Sequence, residues 1–417
     1  VYYTASLPVG LLGYNLGVVA EFVKAALRDL RRAEEMLAEH PELASAGFYA
    51  ALVLGDVRQV EVALRESPDM ATAKGGPMEW EPLVYVCFSR FAIPNPARLA
   101  DFVGTARLLL NHGADPNTSY MDERWKHNPL PCLYGATGLN NNPALARVLL
   151  EAGARTDDSE SLYHSTEHPD LVCLRLLLEF GASTQNTNAL KHMLDREDLA
   201  GLRLLLAAGA DPNERNPRGE TALHWAVWRG RGTEIIATLL DAGVDIEARR
   251  QDGRSAYALA VRSGQTETAK LLDARGASTD LSPVDRFVGS LTGAAPEDLP
   301  GLLTKAPLSP LPEECARLLP EFASTHRTDA VRALLAAGIP LDTRGENGGT
   351  ALHWACWKGY ADLVEMLTSH GASLAIEDEA FHATPAGWYS HGRENCMEPG
   401  GDYPRVERLL LAAGAKL

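Results

Sequence analysis

Apolar positions recur along this chain in a fixed frame. A leucine-rich stretch closes on Gly-Ala-Asp from Leu108 to Asp115 (LLLNHGAD) and again from Leu204 to Asp211 (LLLAAGAD). Variants close on Gly153, Gly181, Gly243, Gly276, Gly338, Gly371 and Gly414. Most successive glycines lie about 28 to 34 residues apart, the spacing of a stacked array of small supersecondary units. Before each glycine the apolar residues fall at helical spacing, as at Leu202, Leu205 and Leu206. A glycine just past the last apolar turn suits the left-handed C-cap conformation, which a β-carbon penalises. After it comes a polar, turn-rich stretch such as Asp211 to Gly219 (DPNERNPRG), and then a second, shorter helix. The pattern predicts an all-α solenoid of stacked helix–turn–helix units, each roughly 33 residues long.

The shorter helix begins with Thr221-Ala222-Leu223-His224 and again with Thr350-Ala351-Leu352-His353. Both resemble the Thr-Pro-Leu-His box of ankyrin repeats, and Asp211-Pro212-Asn213 is similar to that family's turn. Repeats 215–249 and 344–377 match the pattern along their length. Weaker copies cover 46–417, for about ten to eleven units in all. Residues 18–45 look like a degenerate helix pair capping the array. Residues 1–17 are expected to be a leader or a remnant of cloning. Val1 to Ala20 carry no charge, but no basic segment precedes them, and Pro8, Gly10, Gly13 and Gly17 interrupt the apolar run. The unit near 285–314 keeps Leu302-Leu303 but lacks the box, and prolines 296, 300, 307, 310 and 312 predict loose helices there. Segments 88–103, with Pro94-Asn95-Pro96, and 389–404, with Pro399-Gly400-Gly401, are expected to be loop insertions.

Bulk properties narrow the partner. The chain has 417 residues, with 55 acidic against 39 basic side chains and a net charge of −16. That sign disfavours nucleic acid, which needs a basic surface to displace counterions, and disfavours anionic membranes. Basic partners are favoured. Six cysteines at 87, 132, 173, 315, 356 and 396 form no CxxC pair, which fits a reducing, cytoplasmic setting. Arginine outnumbers lysine about fourfold, a bias expected of a GC-rich bacterial gene. A monomer is expected.

The resemblance implies that the short inner helices line a concave groove, so the residues after each box decide what it presents. The slot directly after the box holds Tyr85, Cys132, His164, His192, Trp225, Leu259, Trp354 and Trp388. Trp225 with Trp228, and Trp354 with Trp357, sit three apart and share a helix face. Aromatic pairs beside Arg229 or Lys358 have the composition of an interface hot spot. Together with Phe88 and His391 they are the expected contacts for a protein partner, with burial between repeats as the alternative for the first tryptophan of each pair. A second constellation competes. His164, His168, His192 and Asp195 are a sensible set for zinc, and three of them would leave a water position open for hydrolysis. Cys132 and His164 are an alternative nucleophile and base. His224 and His353, inside the boxes, are implied by the resemblance to be structural, bonding the backbone of the next repeat. The favoured expectation is a binding scaffold without cofactor, and the alternative is a groove hydrolase near residues 132–195. No glycine-rich phosphate loop, HExxH or serine elbow is present.

Overall fold

The computed structural model describes residues 16–93, 96–122, 129–158, 160–292, 298, 316–336, 338–396 and 398–416. Nearly all of the expected leader, Pro94-Asn95, and the prolines and leucine pair of the degenerate unit lie outside them. The chain divides into two compact units, Val1–Asp211 and Pro212–Leu417.

In the first unit, helix Leu16–Arg28 pairs with Leu30–Glu39, occupying the region expected to cap the array. Short inner helices then alternate with outer ones: Phe48–Leu54 with Val57–Glu66, and Pro82–Phe88 with Pro96–Asn111. A three-residue helix at Cys132–Tyr134 runs into a π turn at Gly135–Leu139 before Pro143–Glu151. The pairs Ser161–Ser165 with Val172–Glu179, and Ala189–Asp195 with Leu199–Ala207, complete it. A two-stranded antiparallel ribbon, Ser119–Met121 with Pro129–Pro131, stands immediately before helix Cys132–Tyr134.

The second unit repeats the theme more regularly. Its pairs are Ala222–Trp228 with Thr233–Asp241, Ala256–Arg262 with Thr266–Ala274, Leu318–Ser324 with Thr328–Ala336, Ala351–Lys358 with Ala361–Ser369, and Pro385–Asn395 with Tyr403–Ala412. Helix Pro283–Thr292 opens the degenerate unit and packs on Ala256–Arg262. The fold class is the all-α repeat architecture that the pattern predicts.

Stacking, not any single helix, supplies the core. Leu202 and Leu205 are fully buried, as are Leu223, Leu352 and Leu363 within about a per cent. Each such leucine contributes about 1.5–3 kcal/mol relative to exposure. The closing glycine behaves as expected at Gly209, where φ is +89° and Ala210 N donates to Leu205 O at 3.0 Å. The turn asparagine ties repeats together. Asn117 Nδ2 donates to Gly153 O (3.3 Å) and its Oδ1 accepts from Arg155 N (2.8 Å) in the first unit. Asn213 does the same to Gly243 O (3.1 Å) and Asp245 N (2.6 Å) in the second.

Both expected insertions are shorter as loops than the sequence predicts. Helix Pro96–Asn111 absorbs the second half of 88–103, and Pro385–Asn395 absorbs the first half of 389–404. In each case the extra residues lengthen a helix already packed on its neighbours, which satisfies their backbone groups internally.

Candidate partner-binding site

Helix Ala222–Trp228 is anchored from its first turn. His224 Nδ1 accepts from Thr221 N (3.3 Å) and lies 2.9 Å from Thr221 Oγ1, while Nε2 donates across to Arg254 O (3.3 Å). His353 copies this with Thr350 N (3.1 Å), Thr350 Oγ1 (2.9 Å) and Ala383 O (3.1 Å). Burial holds both imidazoles below their usual pKa, so the neutral ring is the one the fold selects. These box histidines are structural, as the resemblance implied.

With the box fixed, Trp225 and Trp228 emerge on one face, half-buried, with ring centroids 5.1 Å apart. The Arg229 guanidinium stacks over both, at 5.2 and 4.5 Å. Trp354, from a helix more than a hundred residues later, joins them in the wall of one pocket of about 390 Å³. Arg218, Glu220, Arg250, Arg317, Glu321, Ser324, Gly345 and Asn347 complete the lining. That volume falls within the roughly 300–1,000 Å³ typical of ligand sites.

Beside the pocket runs a chain of alternating charges. Glu220 meets Arg250 at 3.1 Å, Arg250 meets Asp252 at 2.8 Å, and Asp252 meets Arg254 at 3.1 Å. Arg254 meets Asp285 at 2.8 Å, and Asp285 also pairs closely with Arg262. Glu220, Arg262 and Asp285 are each only 4% exposed, so the pairing is what makes their burial tolerable. Burial pushes the Glu321 carboxyl upward, against the opposing pull of Arg262, Arg250 and Arg254.

The other expected contacts are placed differently. Trp357 stacks on exposed His391 (5.1 Å, 27°) and edges against Trp388. Trp388 itself is buried, its Nε1 donating to Asp378 Oδ2 at 2.9 Å. Phe88 is a correction. It is 3% exposed, because Trp80 from the loop before its helix and Tyr120 from the ribbon after it close over it (6.4 and 4.8 Å), and it is a core residue rather than a contact surface. In the slot after the box, Tyr85, Cys132, Leu259 and Trp388 face inward, whereas His164, His192, Trp225 and Trp354 remain partly exposed.

The histidine constellation does not converge. His164 Nδ1 bonds Glu167 Oε1 (3.0 Å) and its Nε2 lies 3.3 Å from Glu160 Oε2, and the Glu167 bond raises its pKa. His168 Nε2 donates to Gly138 O (2.6 Å), and His192 Nδ1 meets Thr166 Oγ1 (2.6 Å). Asp195 closes the helix of His192 without bringing the set together. Among the described residues no group of three or more His, Cys, Asp or Glu side chains is placed to hold a metal ion. Cys132 is fully buried, its thiol interacting with that of Cys87 and pushed far above its usual range by burial. A thiol so protonated is a poor nucleophile.

The family likeness follows the same geometry. A family profile described as "Ankyrin repeats (3 copies)" matches residues 190–282, and one described as "Ankyrin repeats (many copies)" matches 319–368. Over these residues the chain carries ankyrin repeats. A putative ankyrin repeat-containing protein of Treponema pallidum is 33% identical over 35% of this chain and 40% of its own length. The potassium channel AKT2/3 of Arabidopsis thaliana is 26% identical over 42% of this chain and 18% of its own. The chain thus spans well under half the length of these relatives. A solved ankyrin repeat domain from Acinetobacter baumannii is 26% identical over 47% of this chain and 98% of its own, with a TM-score of 0.40. Among the described residues no helix is long and apolar enough to cross a membrane.

Proposed function

We propose that this ankyrin-repeat chain is a protein–protein interaction scaffold, and that Trp225, Trp228 and Trp354 form its principal contact site. One observation carries the reading. Three half-buried indoles line a single pocket, although the apolar core behind them is already complete without their exposed faces. Desolvated tryptophans at the centre of a patch are where binding energy concentrates. The Trp357–His391 stack is a second, smaller contact in the same unit. The net charge of −16 favours a protein with a basic face over nucleic acid or an anionic bilayer. Five described cysteines are free, four of them buried, and the cytoplasm is the compartment that suits them.

The test is cross-linking in the native host, identification of the partner, and titration with both proteins purified. Trp228→Ala and Trp354→Ala are expected to weaken that complex at least about tenfold, since a hot-spot residue is worth about 2 kcal/mol or more. Unchanged affinity in both variants, with the fold intact, would overturn the assignment.

A further inference from the structure

We propose that the tryptophan pocket of Pro212–Leu417 seats an arginine side chain of the protein partner, its guanidinium stacked on indole and hydrogen-bonded to the Glu321 carboxylate. The inference rests on the scaffold reading and names the chemistry of its central contact.

Charge decides the sign of the guest. Arg250, in the pocket lining, is held by Glu220 and Asp252, and Arg262, which acts on Glu321 at longer range, by Asp285, so both cations are already matched by carboxylates. Glu321 stands outside that chain. It lines the pocket, and no side chain among the described residues hydrogen-bonds or ion-pairs with its carboxylate, which feels the arginines only at longer range. Leaving a partly buried carboxylate without a donor is costly, and a cationic donor entering the pocket would remove that cost. Arg317 lies exposed in the lining, where it fits an acidic residue flanking the inserted side chain.

The walls select among cations. An indole face attracts a cation through its quadrupole, and a planar guanidinium both stacks on it and offers a fork matching a carboxylate. A lysine ammonium would satisfy only one of these. The protein displays the same contact internally, where Arg229 stacks on Trp225 and Trp228.

The experiment uses the full chain and a fluorescent nine-residue peptide with a central arginine flanked by aspartates. Its controls are the same peptide with citrulline, the neutral isostere, and with glutamate at that position. Saturable binding of the arginine peptide is expected, at least about tenfold tighter than citrulline, because a hydrogen bond to a charged group is at stake. Glu321→Gln should remove that preference, while Glu267→Gln, on an exposed outer helix, should keep it; thermal melts of both variants confirm folding. No saturable binding of the arginine peptide, an equal response to citrulline, or tighter binding of glutamate would overturn the proposal. If a native partner still depends on Trp228 and Trp354 while the arginine peptide is ignored, the scaffold reading stands and the arginine seat falls.

Discussion

In Pro212–Leu417, buried histidines tie one repeat to the next: His224 reaches Arg254 O and His353 reaches Ala383 O, each from a Thr-Ala-Leu-His start. In Val1–Asp211 hydroxyls and amides join the repeats, beside His168, whose Nε2 donates to Gly138 O at 2.6 Å. Ser89 Oγ donates to Val53 O, Asn140 Nδ2 to Cys87 O (2.9 Å), and Asn142 Nδ2 to Ala92 O (2.7 Å). What a junction requires is a donor for a buried carbonyl, and several side chains supply one. The stack therefore persists in the first unit while its resemblance to the family fades. Histidine is displaced there to the half-exposed slot after the box, where His164 and His192 find carboxylate and hydroxyl partners.

The contrast can be broken or sharpened by experiment. The largest effect is expected at Phe88, where the first unit uses an aromatic residue as core: Phe88→Ala should cost about 3–5 kcal/mol in urea unfolding. A cost below about 1 kcal/mol would return it to the surface. In the second unit, Asp285→Ala leaves Arg262 buried without its partner and should cost about 3 kcal/mol by the same measurement. Next comes the junction itself. His353→Ala strands Thr350 N and Ala383 O and should cost about 2 kcal/mol, whereas His164→Ala in the first unit, whose polar partners are partly exposed carboxylates, should stay below about 1 kcal/mol.

Acidification should separate the units with a smaller effect. His224 and His353 have folded pKa values below the unfolded one, so their contribution is present above about pH 6.5 and lost as pH falls toward the folded values. His164 is raised, so its contribution is complete below about pH 6.5 and is lost as pH rises through its folded pKa. His192, lowered by burial, opposes it within the same unit. Hydrogen exchange at pH 7 and 5.5 should show amides of 222–228 and 351–358 losing protection relative to 161–165, and equal losses would contradict this. Smallest of all, Trp228→Ala should cost no more than about 1 kcal/mol of stability, because its exposed face serves contact rather than core.

Much of this was legible in the letters. Helix ends and the order of the pairs follow from local rules of capping and periodicity, and the role of His224 and His353 follows from the resemblance of their boxes to the family's. The fate of individual slots was not. Tyr85, Cys132 and Leu259 occupy the same register as Trp225 and Trp354, yet they are buried, because loops and neighbouring helices cover some slots and not others. Phe88 illustrates the gap: nothing in its own helix announces that Trp80 and Tyr120 will fold over it. Spacing placed His164, His168 and His192 near one another, but ring orientation, set by Glu167, Gly138 and Thr166, sends each elsewhere.

The linear order of residues determined by itself that this chain is a stack of paired helices, because capping, turn formation and apolar periodicity act over a few residues. Only tertiary structure decided that Trp225, Trp228 and Trp354 share one pocket with Glu321. Their convergence depends on how successive repeats pack, a sum of small rotations that no local stretch of sequence encodes.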